Sequence, residues 1–156
     1  AGRAGRGTQP GTVLLQTYNP DHFSITAARH QDFMSFYKEE VKFRKTFNYP
    51  PYARMIQLKI SGKNLEKTKK HAANVGEQCR KLQQPAPAFQ NAIQIFGPIE
   101  APLSRIANRY RWQILLKSAY TKPLHEFIRA LIFEHGVSLN HKNARLAIDV
   151  DPLLMM

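Results

Sequence analysis

The chain has 156 residues, 23 Lys+Arg against 11 Asp+Glu, a formal charge of +12 and 43% hydrophobic residues. That is apolar enough to bury a core, which excludes wholesale disorder, and the length suits one domain or one domain with part of another. No apolar run approaches the ~20 residues of a membrane span, no secretory signal opens the chain, and the one cysteine, Cys79, forbids an intramolecular disulfide and a cysteine-built zinc site, so a cytoplasmic protein is expected.

The chain opens on Ala1-Gly2-Arg3-Ala4-Gly5-Arg6-Gly7 rather than on methionine, and it reads as a piece of a longer polypeptide. Two arginines three apart, each behind a glycine, set two guanidinium forks on one side of a turn or helix start, a geometry suited to phosphate oxygens. A flexible or RNA-binding tail uses the same residues, so the run alone leaves both readings open. Next, Val13-Leu14-Leu15-Gln16-Thr17 is a compact apolar run suited to a buried strand, yet it has no neighbouring strand of its own. Something must cover it, and a second copy of the fragment is one cover. Phe33, Phe36, Tyr37, Val41 and Arg44 follow at helical spacing behind an Asp32 N-cap. In Tyr49-Pro50-Pro51-Tyr52 two prolines fix φ and remove two backbone donors, which places a domain boundary between residues 1–50 and 51–156. The first part carries +3 and the second +9, so the second is the expected polyanion binder.

Beyond the boundary, Ile56, Leu58 and Ile60 alternate with Gln57, Lys59 and Ser61, the pattern of a half-buried strand that ends at Gly62. Leu65, Thr68, Ala72, Val75, Cys79 and Leu82 make the apolar stripe of a helix, with Lys67, Lys69, Lys70, Arg80 and Lys81 opposite. A buried, inert thiol is expected at Cys79. Gln83 to Gln90 reads as a proline-broken loop, Ile93 to Phe96 as a short strand stopped by Gly97-Pro98, and the next segment as a loop carrying Arg105 and Arg109. Tyr110, Trp112, Ile114 and Leu116 then alternate with Arg111, Gln113, Leu115 and Lys117; the aromatics are expected in the core and the cations outside. Thr121 is the expected N-cap of a helix through Leu124, Phe127, Ile128, Leu131 and His135, stopped by Gly136, with His135 as a helix-terminal cation. Ala144, Leu146, Ile148 and Val150 form the last strand. Asp149 and Asp151 share its solvent side with no histidine near them in sequence, and the six histidines show no ligand spacing, so no metal site is expected.

The order β-α-β-β-α-β predicts an α+β fold of the ferredoxin-like kind, a four-stranded antiparallel sheet with both helices on one face and the other face open to a partner. Arg105, Arg109, Arg111 and Lys117 on the central hairpin, with Lys67 and Lys70 on the first helix, are the candidate nucleic-acid contacts.

Gly2-Arg3-Ala4-Gly5-Arg6-Gly7, continued by Pro10-Gly11-Thr12-Val13 and Gln16-Thr17-Tyr18-Asn19-Pro20-Asp21-His22, resembles the sixth helicase motif and last strand of the second RecA-like lobe in the primosomal protein N′ family of replication-restart DNA helicases. Tyr49-Pro50-Pro51-Tyr52, Gly97-Pro98, Ala101-Pro102, Tyr110-Arg111-Trp112-Gln113 and Asp149-Val150-Asp151-Pro152 continue the resemblance in order. It implies an ATP-dependent 3′-to-5′ helicase that recognises stalled or abandoned forks and promotes primosome assembly. Residues 1–50 would then end the RecA-like lobe, and 51–156 would be a C-terminal ferredoxin-like DNA-binding domain. Arg6 is implied as the arginine finger on the γ-phosphate and Arg3 as its neighbour coupling nucleotide to lobe closure. Single-stranded and forked DNA, other primosome proteins and single-stranded-DNA-binding protein are the implied partners. ATP, Mg²⁺ and zinc would be held by parts of the intact protein outside these residues, which contain no Walker lysine, acidic Mg²⁺ motif or cysteine-rich region; this piece alone is expected not to hydrolyse ATP. Composition alone also allows a free-standing RNA-binding or ribosome-associated ferredoxin-like module with a Gly-Arg tail. The buried-strand pattern of Val13 to Gln16 disfavours that reading, because a disordered tail does not need it.

Overall fold

A computed structural model describes residues 11–142 and 144–152. Arg3 and Arg6 lie outside the described residues. The chain divides into two units between Phe43 and Arg44, and no helix among the described residues is long and apolar enough to cross a membrane.

In the first unit, helix α1 (Phe23–His30) is capped by His22, whose Nδ1 accepts the Ser24 N–H at 3.3 Å. Helix α2 (Phe33–Thr46) starts behind Asp32 as expected: one carboxylate oxygen accepts the Ser35 N–H at 3.0 Å and the other its hydroxyl at 2.6 Å. Those bonds hold the Asp32 carboxyl below the usual carboxylate range. Phe23 stacks on Phe36 and Phe43 at centroid distances of 5.9 and 5.6 Å. The expected buried strand at Val13 to Thr17 is absent: these residues carry no strand pairing, and Leu14 is 92% exposed. An apolar run becomes a strand only where a neighbour accepts its backbone hydrogen bonds, and among the described residues none does.

The second unit contains β1 (Arg54–Gly62), α3 (Leu65–Gln83), α4 (Pro87–Ala92), β2 (Gln94–Ile106), β3 (Arg109–Ser118), α5 (Thr121–Phe133), β4 (Asn140–His141) and β5 (Ala144–Val150). Its antiparallel sheet has five strands in the order β2-β3-β1-β5-β4, not four. Ile56, Leu58 and Ile60 of β1, Ile114 and Leu116 of β3 and Leu146 of β5 share one core with Val75 and Cys79 of α3 and Leu124, Phe127 and Leu131 of α5. The sheet's one apolar face therefore receives both long helices. Trp112 is half-buried against this core, and burial pushes the Cys79 thiol up to about 12, so it is inert.

Several local expectations are corrected. The proline-broken loop contains α4, because Pro87 occupies the first helical position, where a missing N–H costs nothing. The strand expected to stop at Gly97-Pro98 runs on to Ile106, with irregularities between Phe96 and Ile99 and between Glu100 and Arg105. An edge strand tolerates a proline, and Gly97 has φ +94°, where a Cβ would meet the Gln113 carbonyl oxygen at 2.8 Å. The loop expected around Arg105 and Arg109 is a tight hairpin: Arg105 lies in the last turn-ward pair of β2, Arg109 begins β3, and Ala107 and Asn108 both take positive φ (47° and 57°). Tyr120, not Thr121, holds the cap position of α5, with no side-chain cap bond. That helix ends at Phe133, where His135 and Val137 donate back to the Ala130 and Leu131 carbonyls on either side of Gly136 at φ +65°. Gln57, expected to be exposed, is 2% exposed. The sheet's second face is partly covered at that end, where Lys117 donates to the Phe47 carbonyl at 3.1 Å and lies over the Tyr49 and Phe96 rings.

Candidate nucleic-acid interface

Strand register builds the site. Ser61, near the end of β1, stands opposite Arg111 of β3 and Arg145 of β5, and Gly62 opposite Tyr110. The last residues of β1 and the first of β3 and β5 therefore meet at one end of the sheet, and α3 starts from the same end shortly after Gly62. Asn64 caps α3 by accepting the Lys67 N–H at 2.9 Å, which fixes the direction in which the helix leaves.

This convergence lines a cavity of about 500 Å³ with Lys63, Lys67, Arg109, Lys142 and Arg145, beside Asn64, Asn140 and His141. Arg109 is anchored there by an Nη2 bond to the Ser61 carbonyl at 3.1 Å. A second cavity of about 630 Å³ shares Lys67 and His141 with the first and adds Lys70, His71, Ala73, Asn74 and Glu77. The His71 and His141 rings stack with centroids 4.8 Å apart and planes 20° apart.

The expected contacts distribute unevenly. Lys67, Lys70 and Arg109 come together in these adjoining cavities. Arg105 lies at the same end of the sheet, donating to the Asn108 side chain at 3.1 Å with its guanidinium over the Tyr110 ring at 5.1 Å. Arg111 reaches toward the Leu103 carbonyl at 3.5 Å. Lys117 sits at the far end of β3, engaged by the Phe47 carbonyl and two rings. Of the other helix cations, Arg80 binds the Gly97 carbonyl at 2.7 Å, and Lys81 pairs with Glu77 at 2.7 Å and holds that carboxyl below its ordinary value. The carboxylates of the last strand and its end are also engaged, Asp149 with Lys59 and Asp151 with Arg54 at 3.6 Å. Sequence reading did not find Lys63, Lys142, Arg145, His71 and His141, because strand pairing rather than local spacing assembles them.

Burial, and secondarily the His141 charge, depress the His71 pKa from its ordinary 6.5. Folding thus favours the neutral ring; the stabilisation is complete above pH 6.5 and is lost as pH falls from there toward the depressed value. Urea melts should accordingly show lower stability at about pH 5.5 than at about pH 7.5, and His71→Gln should flatten this difference. An unchanged difference in the variant would assign the acid sensitivity to other groups.

The fold and its cationic end define a basic α+β module suited to meeting a polyanion. Residues 45–153 match the Primosomal protein N C-terminal domain, and the chain belongs to that family. Across 98% of its length it is 36% identical to the replication restart protein PriA of Synechocystis sp., and across 100% it is 31% identical to that of Bacillus subtilis. The chain spans 17% and 19% of those two relatives. Among solved structures, the de novo designed protein Foldit4 gives a TM-score of 0.42 at 9% identity, covering 63% of this chain and 94% of that one.

Proposed function

We propose that this chain is the C-terminal part of an ATP-dependent 3′-to-5′ DNA helicase that recognises stalled or abandoned replication forks and promotes primosome assembly. The observation that carries the reading is the match, over almost the whole chain, to proteins named for replication restart. In this reading residues 1–50 end the second RecA-like lobe, with Arg6 as arginine finger and Arg3 as its coupling neighbour. Residues 51–156 form a ferredoxin-like domain that binds single-stranded and forked DNA. The strand order β2-β3-β1-β5 beneath α3 and α5 supports that topology, with β4 and α4 as additions. Other primosome proteins and single-stranded-DNA-binding protein are its partners in the cytoplasm.

The residues present do not fit zinc or a nucleotide by themselves. The one thiol is buried, among the described residues no three His, Cys, Asp or Glu side chains gather, and the sequence has no phosphate-binding loop. This part contributes cations to DNA rather than a metal or a complete nucleotide site.

A salt titration tests the DNA-binding role. If Lys63, Lys67, Arg109 and Arg145 each neutralise one phosphate, log K for single-stranded DNA should fall with log salt at a slope of about −3, from about −0.7 per contact. The Lys67/Arg109/Arg145 triple alanine variant should flatten the slope by about 2, whereas Lys117→Ala should leave it unchanged. Equal slopes for wild type and the triple variant would remove this end of the sheet as the DNA contact.

A further inference from the structure

The two adjoining cavities differ in character. One is rimmed by cations, while the other contains a stacked pair of imidazoles beside Ala73. Lys67 and His141 belong to both, so a ligand lying across them meets a cationic pocket and an aromatic ledge within one groove. We propose that this groove seats one nucleotide of single-stranded nucleic acid, its base against the His71–His141 pair and its flanking phosphate among Lys63, Lys67 and Arg145. The proposal rests on the DNA-binding reading above and deepens it.

The parts of the groove match the parts of a nucleotide. Nucleobases stack on imidazole, and a near-parallel ring pair is a platform that a third ring can extend. The cavity of about 630 Å³ lies within the usual range for small-ligand sites and has room for a base. His71 Nε2 is buried without a hydrogen-bond partner, so the pair is not held by a bond at that edge, and stacking is the contact it can offer. Among the described residues one carboxylate lines the groove, Glu77, and it is paired with Lys81. A duplex keeps its bases stacked inside and could reach only the cations. An acidic peptide could likewise use the cations, but its carboxylates give the imidazoles nothing to stack against. Protonation of either ring would add to the cationic field of Lys63, Lys67, Lys70, Arg109, Lys142 and Arg145, with Glu77 opposing it, so measurements belong near neutral pH.

The test compares a fluorescent oligothymidylate with an abasic oligonucleotide of the same phosphate number, each titrated against the 156-residue chain near neutral pH. The wild type should prefer the base-bearing strand by roughly tenfold, as expected for one stacked base. His141→Ala should abolish that preference and leave abasic affinity unchanged, whereas His141→Phe should restore it. Lys67→Ala with Arg145→Ala should weaken both strands alike. Trp112 fluorescence checks that each variant is folded. No preference in wild type, or equal loss of both strands in His141→Ala, would overturn the proposal. So would unchanged binding of both strands by the Lys67/Arg145 variant, although salt-sensitive DNA binding elsewhere on the domain would then survive. Poly-glutamate competing as well as oligothymidylate of equal charge would assign the groove to acidic peptides and overturn it too. If wild type binds neither strand in a salt-sensitive way, the DNA-binding reading itself fails.

Discussion

Arg6→Ala in the full-length protein should lower ATP turnover by about a thousandfold or more while leaving DNA affinity nearly unchanged. The cause is electrostatic. As the terminal phosphoryl group departs, negative charge grows on its oxygens, and a guanidinium placed against them stabilises the transition state more than the ground state. The effect should therefore fall on kcat rather than on nucleotide affinity. Arg3, on the same side of the motif, is the coupling arginine in this reading; its alanine variant should lose more of the DNA stimulation of hydrolysis than of the basal rate. The 156-residue chain alone should show no hydrolysis, since an arginine finger without a phosphate loop has nothing to act on. Near-normal turnover in the Arg6 variant would move this residue to a structural role.

Periodicity exposed the parts of the fold that depend on local pattern. The stripe from Thr68 to Leu82 is buried, as is the alternation of Ile56, Leu58 and Ile60, because side-chain periods of 3.6 and 2 map directly onto buried faces. Expectations failed where a neighbour decides. Val13 to Thr17 has the composition of a buried strand, but no described segment pairs with it. Gln57 has the pattern of a solvent position, yet it is buried on a sheet face that the chain near Phe47 and Tyr49 partly covers. Pro98 read as a stop because its place on an edge strand depends on the whole sheet order. The candidate site follows the same rule. Lys67, Lys70 and Arg109 were legible as cations in the local pattern, but Lys63, Lys142 and Arg145 join them only through the pairing of Ser61 with Arg145 and the direction of α3. Lys117 shares a strand with Arg109, yet the length of β3 carries it to the other end.

Phe127→Ala should cost the second unit about 3–5 kcal/mol. Phe127 is fully buried and meets Phe89 of α4 edge-to-face at 5.3 Å, so truncation removes its own apolar contacts and the ring packing of a six-residue helix that has no side-chain cap. The core around it also takes residues from α3 and three strands, and few of these can shift to fill the gap without loosening the sheet. Domains of this size are stable by only about 5–15 kcal/mol, so the loss is a large fraction of the whole. Phe133, on the same helix but 79% exposed, supplies the control: its alanine variant should stay within about 0.5 kcal/mol of wild type. Trp112, the one tryptophan, is half-buried against this core and reports its unfolding in urea. Where the Phe127 variant is still folded, its salt slope on single-stranded DNA should equal that of wild type, because the cations that set it stand on strand ends and the start of α3. A midpoint shift no larger than that of Phe133→Ala would mean that the core closes over the missing ring. A changed slope in the folded variant would mean that the packing of α5 and α4 helps to hold the cationic end in place.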